Sequence, residues 1–343
     1  MLKKSFFKSC TIVILCALSV SCSDETAVNK MLGISASAPM FTNYKVVSGT
    51  QVDFAFSTSV KVVSVSFTPE TPVASTQDGK SVSVNFVSDQ SGGKKLTADI
   101  LVEDDSGNTL NVLVPFRTRN DRVPVFVINE VRTGLSKPRC EFIELKTKTA
   151  GNLGALRLFI ASTSNDEPIY EFPPVEVRAN EYVVLHLRTY PEQLGCVDEL
   201  GENLNTAYMS GTAIVQRETQ NTARDLFVPQ NKKFLHDADV VYILDQDDKI
   251  VEALAFSNEE KSWTKNANLS KAAEFLAKGG AWLSASGVPV KKPEFADAVF
   301  SAGATYSKTI CRKEAASDTN TSKDWYVSTQ GNSPGMENIA PSL

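Results

Sequence analysis

The sequence predicts an all-β protein made of two β-sandwich domains in series, the second carrying a helix-containing insertion. Three observations carry this. Apolar residues recur at every second position in run after run, which puts one face of each run on a core and the other in water. Those runs are rich in Val and aromatics, with 18 Phe in the chain, and Gly, Pro, Ser and Thr clusters separate them. A length of 343 residues suits about two domains, each large enough for its own core.

Residues 1–21 read as a signal peptide. Lys3, Lys4 and Lys8 form a basic start, and the apolar tract CTIVILCALSV at 10–20 follows. It is too short to span a bilayer, which takes about 20 apolar residues. The tract LSVSC at 18–22 resembles a bacterial lipobox, with Ser19 standing where strict versions carry Leu, Val or Ile. The resemblance implies cleavage before Cys22 and its modification by lipid, palmitate included. The alternative is an ordinary secretory signal cleaved near Ser21. Stable anchoring takes more than one acyl chain, which a lipidated Cys22 would supply without any membrane-spanning helix. Ser23 does not match the Asp retention signal of enteric bacteria and favours the outer membrane over the inner. Residues 22–33 are polar and small, a tether.

The first domain covers residues 34–120. Alternation runs through QVDFAFS (Val52, Phe54, Phe56), VVSVSF (Val63, Val65, Phe67) and VSVNF (Val82, Val84, Phe86). It continues through Leu96, Ala98, Ile100 and Val102, then Leu110, Val112, Val114 and Phe116. Six or so short strands without a helical pattern predict a small sandwich. Between the last two runs, Ser106-Gly107-Asn108 suits a hairpin turn. The run DDSGNTL before the final strand resembles the end of bacterial immunoglobulin-like repeats. Asp104 and Asp105 beside that turn offer too few ligands for calcium and read as a solvated loop. Residues 121–124, ending in Pro124, form a linker.

The second domain covers residues 125–340. It opens with VFVINEV and CEFIELK, two strands around a loop holding Gly134 and Pro138. LGALRLFIAS and a strongly apolar EYVVLHLRT follow, separated by IYEFPPVEV, whose Pro173 and Pro174 demote it to an edge or a turn. DVVYILDQDDKIVEALAFS reads as a hairpin turning at 245–248. Near the end, SKTICRK is followed by SDTNTSKDWYVS and SPGMEN. This order resembles the lamin-tail domain, an immunoglobulin-like β-sandwich. The matching positions are Ser307, Ile310, Arg312, residues 318–320, Asp324, Trp325 and residues 333–338. Two stretches, 190–237 and 257–304, are longer than that family needs. The second contains LSKAAEFLAKGG at 269–280, helix-compatible through Ala272, Ala273, Phe275, Leu276 and Ala277, with Gly279 as its C-cap.

Candidate chemistry is sparse. Glu130 and Glu144 stand in the most apolar strands; paired carboxylates can do acid–base work, but no third polar group accompanies them. The structural reading has each pointing to solvent or accepting backbone hydrogen bonds. His186 in VVLHLR reads as a structural strand histidine, and nothing local ties it to a cysteine. His236 with Asp237 and Asp239 forms a metal corner lacking a second His. The acidic run 245–248 reads as a turn. Trp263 and Trp282 flank the inserted helix and read as anchors for it, and Trp325 as a core residue whose N–H finds a partner. Cys140, Cys196 and Cys311 remain after the signal and Cys22 are set aside. They allow one disulfide in three pairings, or free thiols, and Cys140 and Cys311, both in strand-like runs, suit sheet neighbours. No C-x-x-C, Walker loop, dinucleotide fingerprint, G-x-S-x-G or H-E-x-x-H is present.

The formal charge is −5, and loss of residues 1–21 removes three lysines and no acid. Such a chain lacks the basic stripe of a nucleic-acid binder. The sequence therefore predicts a lipid-anchored cell-envelope protein, not an enzyme, without cofactor or metal, binding a protein or glycan partner through its inserted loops. Two alternatives stand beside it. One is an envelope hydrolase, or an accessory subunit of a membrane-associated nuclease or phosphatase; the other is a surface adhesin or carbohydrate-binding protein.

Overall fold

The computed structural model describes residues 38–136, 139–164, 166–188 and 223–339. The signal peptide, Cys22, the tether to residue 33, Cys196 and most of the first long stretch lie outside the described residues. The described part is all-β, with two compact units that divide between Phe116 and Arg117, except that Gln90–Lys94 packs with the second.

The first unit is one six-stranded sheet folded around a single core. Its strands are β1 (Phe41–Ser48), β2 (Gln51–Thr68), β3 (Val73–Gln77), β4 (Gly79–Phe86), β5 (Lys95–Asp104) and β6 (Thr109–Arg117), ordered β3-β4-β2-β5-β6 with β1 also on β2. QVDFAFS and VVSVSF, predicted as separate strands, form the one strand β2 of 18 residues. Its first half lies between β1 and β4, and its second half pairs with β5. A register shift between Ala55 and Val60 joins the halves, so the polar segment STS carries the backbone onward where a turn was expected. Val52, Phe54, Phe56, Val82, Val84, Ile100 and Val102 are buried together. At the β5–β6 turn Asp104 accepts hydrogen bonds from the Ser106 and Asn108 backbone and from Asn108 Nδ2, 2.9–3.0 Å. The carboxylate thus organises the turn itself.

The second unit is a sandwich. One layer is ordered β14-β13-β8-β7-β18-β19, from β7 (Phe126–Arg132), β8 (Phe142–Thr147), β13 (Tyr182–His186), β14 (Arg224–Phe227), β18 (Ile310–Arg312) and β19 (Trp325–Val327). The other is ordered β11-β10-β15-β16-β17, from β10 (Arg157–Ile160), β11 (Tyr170–Glu171), β15 (Ala238–Leu244), β16 (Ile250–Ser257) and β17 (Val299–Phe300). The Pro173-Pro174 break confines the run before β13 to edge strand β11 and to β12 (Glu176–Val177), which pairs with β9 (Gly151–Asn152). Ile128, Val131, Ile143, Leu145, Val183 and Leu185 from the first layer share a core with Leu158, Ile160, Val241, Ile243, Leu254 and Phe256 from the second.

The second layer also buries its other face. In the β15–β16 register Val240 opposes Ala255 and Tyr242 opposes Ala253. These small alanines leave room for helices α1 (Glu260–Lys265) and α2 (Ala267–Lys278), which lie within the second long stretch. Helix α2 buries Leu269, Ala272, Ala273 and Leu276, at the spacing of one helical face. Asn266 caps its start by accepting from the Asn268 N–H. At its end Gly279 is the C-cap with an ordinary φ of −80°, and the left-handed residue is Gly280, φ +70°. There the Gly280 N–H donates to Ala277 O and the Ala281 N–H to Leu276 O, a Schellman ending. Among the described residues no helix is long and apolar enough to cross a membrane.

Candidate functional site

A register shift between Ile128 and Glu130 on β7, with alternation along β8, places Glu130 opposite Glu144 on the face of the sheet turned away from the sandwich core. Solvent does not reach them: both are fully buried, because the C-terminal segment lies over this face. Glu130 accepts from Thr309 Oγ1 (2.5 Å), the Ser333 N–H (3.0 Å) and Ser333 Oγ (3.0 Å). Glu144 accepts from Asn129 Nδ2 (2.8 Å) and the Gly335 N–H (2.5 Å). Gly335 takes φ +79°, a conformation glycine adopts without strain. Asn338 Nδ2 donates to the carbonyls of Asn129 and Arg312, both 3.0 Å. Every polar position of S-P-G-x-x-N thus fastens the chain end to the sheet. The two glutamates serve as acceptors for that fastening.

Burial raises the pKa of Glu130, and burial together with the neighbouring Glu130 charge holds that of Glu144 well above the usual carboxylate range. Glu314 beside them is lowered instead: burial opposes this, but the ion pair with Lys146 and the hydrogen bond from Asn129 outweigh it. A raised carboxyl pKa means that the native state holds its proton more tightly than the unfolded chain. Its stabilising contribution is full below the unfolded value and is lost as pH rises toward the folded one. Stability of the second unit should therefore fall as pH rises above the ordinary glutamate value of about 4.3, and Glu144→Gln should flatten that fall. Urea titrations at rising pH check it; equal slopes in wild type and variant would remove Glu144 as the source.

One cluster has no local sequence signal. Cys140 lies in the loop just before β8, and its Sγ is 3.9 Å from His186 Nδ1, while His186 Nε2 is 2.8 Å from Asp225 Oδ1. The tie between Cys140 and His186 is indeed not local: β8 and β13 pair with Phe142 opposite His186, and the parallel pairing of β13 with β14 brings Asp225 to His186 from 39 residues away. Burial alone would lower the His186 pKa, but the hydrogen bonds to Asp225 and Cys140 raise it to about 10. Cys140, His186 and Asp225 are all buried, so the thiol is shielded from a substrate. Cys140 and Cys311 are free thiols and are not sheet neighbours, because β7 stands between β8 and β18. Burial, with the Glu130 charge, raises the Cys311 thiol to about 12.

The other sequence candidates separate clearly. Asp239 is wholly buried and accepts from the Ser162 N–H and hydroxyl and from the His236 and Val240 N–H groups. His236 and Asp237 are exposed beside it. Among the described residues no group of three His, Cys, Asp or Glu side chains is placed to hold a metal ion. Residues 245–248 make the β15–β16 turn, with Asp245 Oδ1 accepting from the Asp247 and Lys249 N–H groups. Trp263 and Trp282 are buried in the core shared with the sandwich, as anchors. Trp325 is also core, but among the described residues its indole N–H has no acceptor. The guanidinium of Arg312 lies over its ring at 4.4 Å instead.

Accessible concave surface follows helix α2. A cavity of about 470 Å³ lies at its start, lined by Ser162, His236, Asp237, Lys265, Asn266 and Leu269 among others. A second, of about 400 Å³, lies further along, where Tyr242 of β15 and Phe275 of α2 meet the turn after β10. Among the described residues neither cavity is lined by a cysteine or by paired carboxylates able to act as nucleophile and base. Alternation alone predicts Tyr242 on the face with Val240; the alanines opposite are the signal that this face receives a helix.

A family model described as TP_1001_2nd, protein second domain, matches residues 124–327. An uncharacterized protein of Treponema pallidum (strain Nichols) is 24% identical over 253 residues. That match covers 71% of this chain, and the chain spans 61% of that relative's length. Among solved structures, a DUF4876 family protein from Bacteroides thetaiotaomicron is similar with a TM-score of 0.30 at 11% identity, over 84% of this chain and 92% of that one. The N-terminal part of the bacterial S-layer protein SbsC has a TM-score of 0.24 at 15% identity, over 45% and 41%.

Proposed function

The chain belongs to the family of the TP_1001 second domain, whose model matches more than half of it, and from that premise we propose that it is a non-catalytic binding module of the bacterial cell envelope. The observation that carries this reading is the contrast between its two polar surfaces. Glu130 and Glu144, the pair best suited to acid–base work, are sealed beneath the C-terminal segment. The open cavities lie along the inserted helix instead, where loops and added elements on a rigid scaffold commonly bind. The C-terminal motifs support a lamin-tail-like character for the second sandwich.

In this reading the LSVSC tract at 18–22 makes Cys22 the lipid anchor, with the outer membrane favoured over the inner. The partner is a protein or a glycan at the envelope, and no nucleic acid. Cys22→Ser should move the protein from the detergent phase to the aqueous phase on Triton X-114 partition; unchanged partition would remove the anchor from the proposal. The non-catalytic reading is tested with the purified mature protein against phosphatase, nuclease and glycosidase substrates. No turnover is expected, and turnover abolished by Glu144→Gln would overturn it.

A further inference from the structure

The cavity further along α2 combines an aromatic platform with a polar rim. Tyr242 lines it, and Phe159 on the neighbouring strand stacks parallel to the Tyr242 ring, centroids 5.1 Å apart at 3°. That stack fixes the orientation of Tyr242, which a free rotamer would otherwise lose on binding. Phe275 meets Tyr242 at 5.5 Å and 60°. It is 39% exposed, although α2 had four inward positions for apolar side chains. The rim carries Ser164 and Asp166 from the turn after β10 and Asn268 and Lys271 from α2; Asp166, Asn268 and Lys271 are exposed.

We infer that this cavity is a subsite for a neutral saccharide, one or two pyranose rings of a glycan, deepening the binding reading above. Three features select that class. The C–H face of a pyranose carries slight positive charge and suits the negative face of an aromatic ring, which Tyr242 and Phe275 supply. The rim offers a carboxylate, an amide, an ammonium and a hydroxyl, the mixture of donors and acceptors that vicinal hydroxyls pair with. A volume of about 400 Å³ suits a small ligand and no folded partner. A quaternary ammonium would also favour an aromatic site beside Asp166, but Lys271 on the same rim repels it. The opposite charges of Asp166 and Lys271 likewise give a charged sugar no net advantage. Burial and the Asp166 charge both raise the Tyr242 phenol, so its hydroxyl stays protonated.

The test uses the full mature chain. Saturation-transfer NMR is run with glucose, galactose, mannose, N-acetylglucosamine, cellobiose, maltose and chitobiose, and with tetramethylammonium as the cation probe. At least one sugar should receive saturation on its ring C–H protons. Tyr242→Ala should weaken that binding at least tenfold, Tyr242→Phe should retain it, and Asp166→Asn and Lys271→Ala should each weaken it severalfold. The last two are surface changes that leave the fold intact, and unchanged tryptophan emission checks folding of Tyr242→Ala. Phe300→Ala, at an exposed aromatic elsewhere, should bind as wild type. Absence of transfer to every sugar, transfer to tetramethylammonium alone, or sugar binding indifferent to Tyr242→Ala would each overturn the saccharide subsite, and none of these touches the non-catalytic reading. Hydrolysis of a bound disaccharide would do the reverse, overturning the non-catalytic reading and leaving the saccharide class standing.

Discussion

Arg312→Ala should destabilise the second unit by about 3–5 kcal/mol, the cost of breaking a buried ion pair from one side. Arg312 is only 4% exposed. Its Nε donates to Ile128 O at 2.7 Å, one Nη to Glu252 at 2.9 Å, and the other pairs with Asp318 at 3.0 Å. Its removal leaves Glu252 and Asp324, the latter 3.9 Å from the guanidinium, buried without the cation and the Ile128 carbonyl without that donor, while Trp325 loses the group stacked on its ring. Arg312→Lys should recover little, because an ammonium cannot reproduce the three-way fork. The measurement is direct, since all three tryptophans of the chain, Trp263, Trp282 and Trp325, lie in the second unit. Urea unfolding followed by tryptophan emission therefore reports that unit. A loss below about 1 kcal/mol, the scale of an exposed pair, would mean that the cluster is not a keystone of the fold.

The residues of this cluster also mark how far the sequence could be read. S-x-x-I-x-R, D-T-N, D-W and S-P-G-x-x-N are visible as motifs, and the runs VFVINEV and CEFIELK, read as strands, hold β7 and β8. What joins them is not local. Asp318 and Asp324 reach Arg312 only because the short turn before β19 folds back, with the Thr319 hydroxyl and N–H donating to Asp324. Glu252 comes from a different sheet, 60 residues away. The same limit explains the Cys140–His186–Asp225 cluster, which depends on the pairing of β13 with β8 on one side and with β14 on the other. It explains β2 as well: a period of two identifies strands but does not say whether Ser57-Thr58-Ser59 turns or continues. Sealing of Glu130 and Glu144 depends on where Ser333 and Gly335 land, about 200 residues on. The sequence proposes the inserted stretches as the binding surface; α2 lies in the second of them, while Ser162, Ser164, Asp166 and Tyr242, which also line the cavities along it, lie outside both. The particular platform of Tyr242 and Phe275 needs the helix docked on the sheet to become visible.

Trp282→Ala should cost about 3–5 kcal/mol as well, through the cavity that an indole leaves in a core, and it decides what kind of object the insertion is. Trp282 heads the largest fully buried side chains. It follows the Schellman end of α2 directly, and its indole N–H donates to Asp297 O at 3.0 Å. Two descriptions of residues 257–304 compete. In one, the insertion is a passenger on a sandwich that is stable without it. In the other, α2 is a third layer, because Leu269, Ala273, Leu276 and Trp282 belong to the same buried cluster as Val241 and Ile143. Hydrogen exchange separates them. If α2 is a layer, Trp282→Ala lowers the protection of amides in α2, β15 and β16 together, because one cooperative unit has lost stability. If it is a passenger, α2 amides exchange faster while β15 and β16 keep wild-type protection. The shared cluster predicts the first outcome. It follows that the saccharide cavity, walled on one side by α2 and on the other by β15, has rigid walls on both sides. Its affinity should then fall with Trp282→Ala only to the extent that the whole unit unfolds.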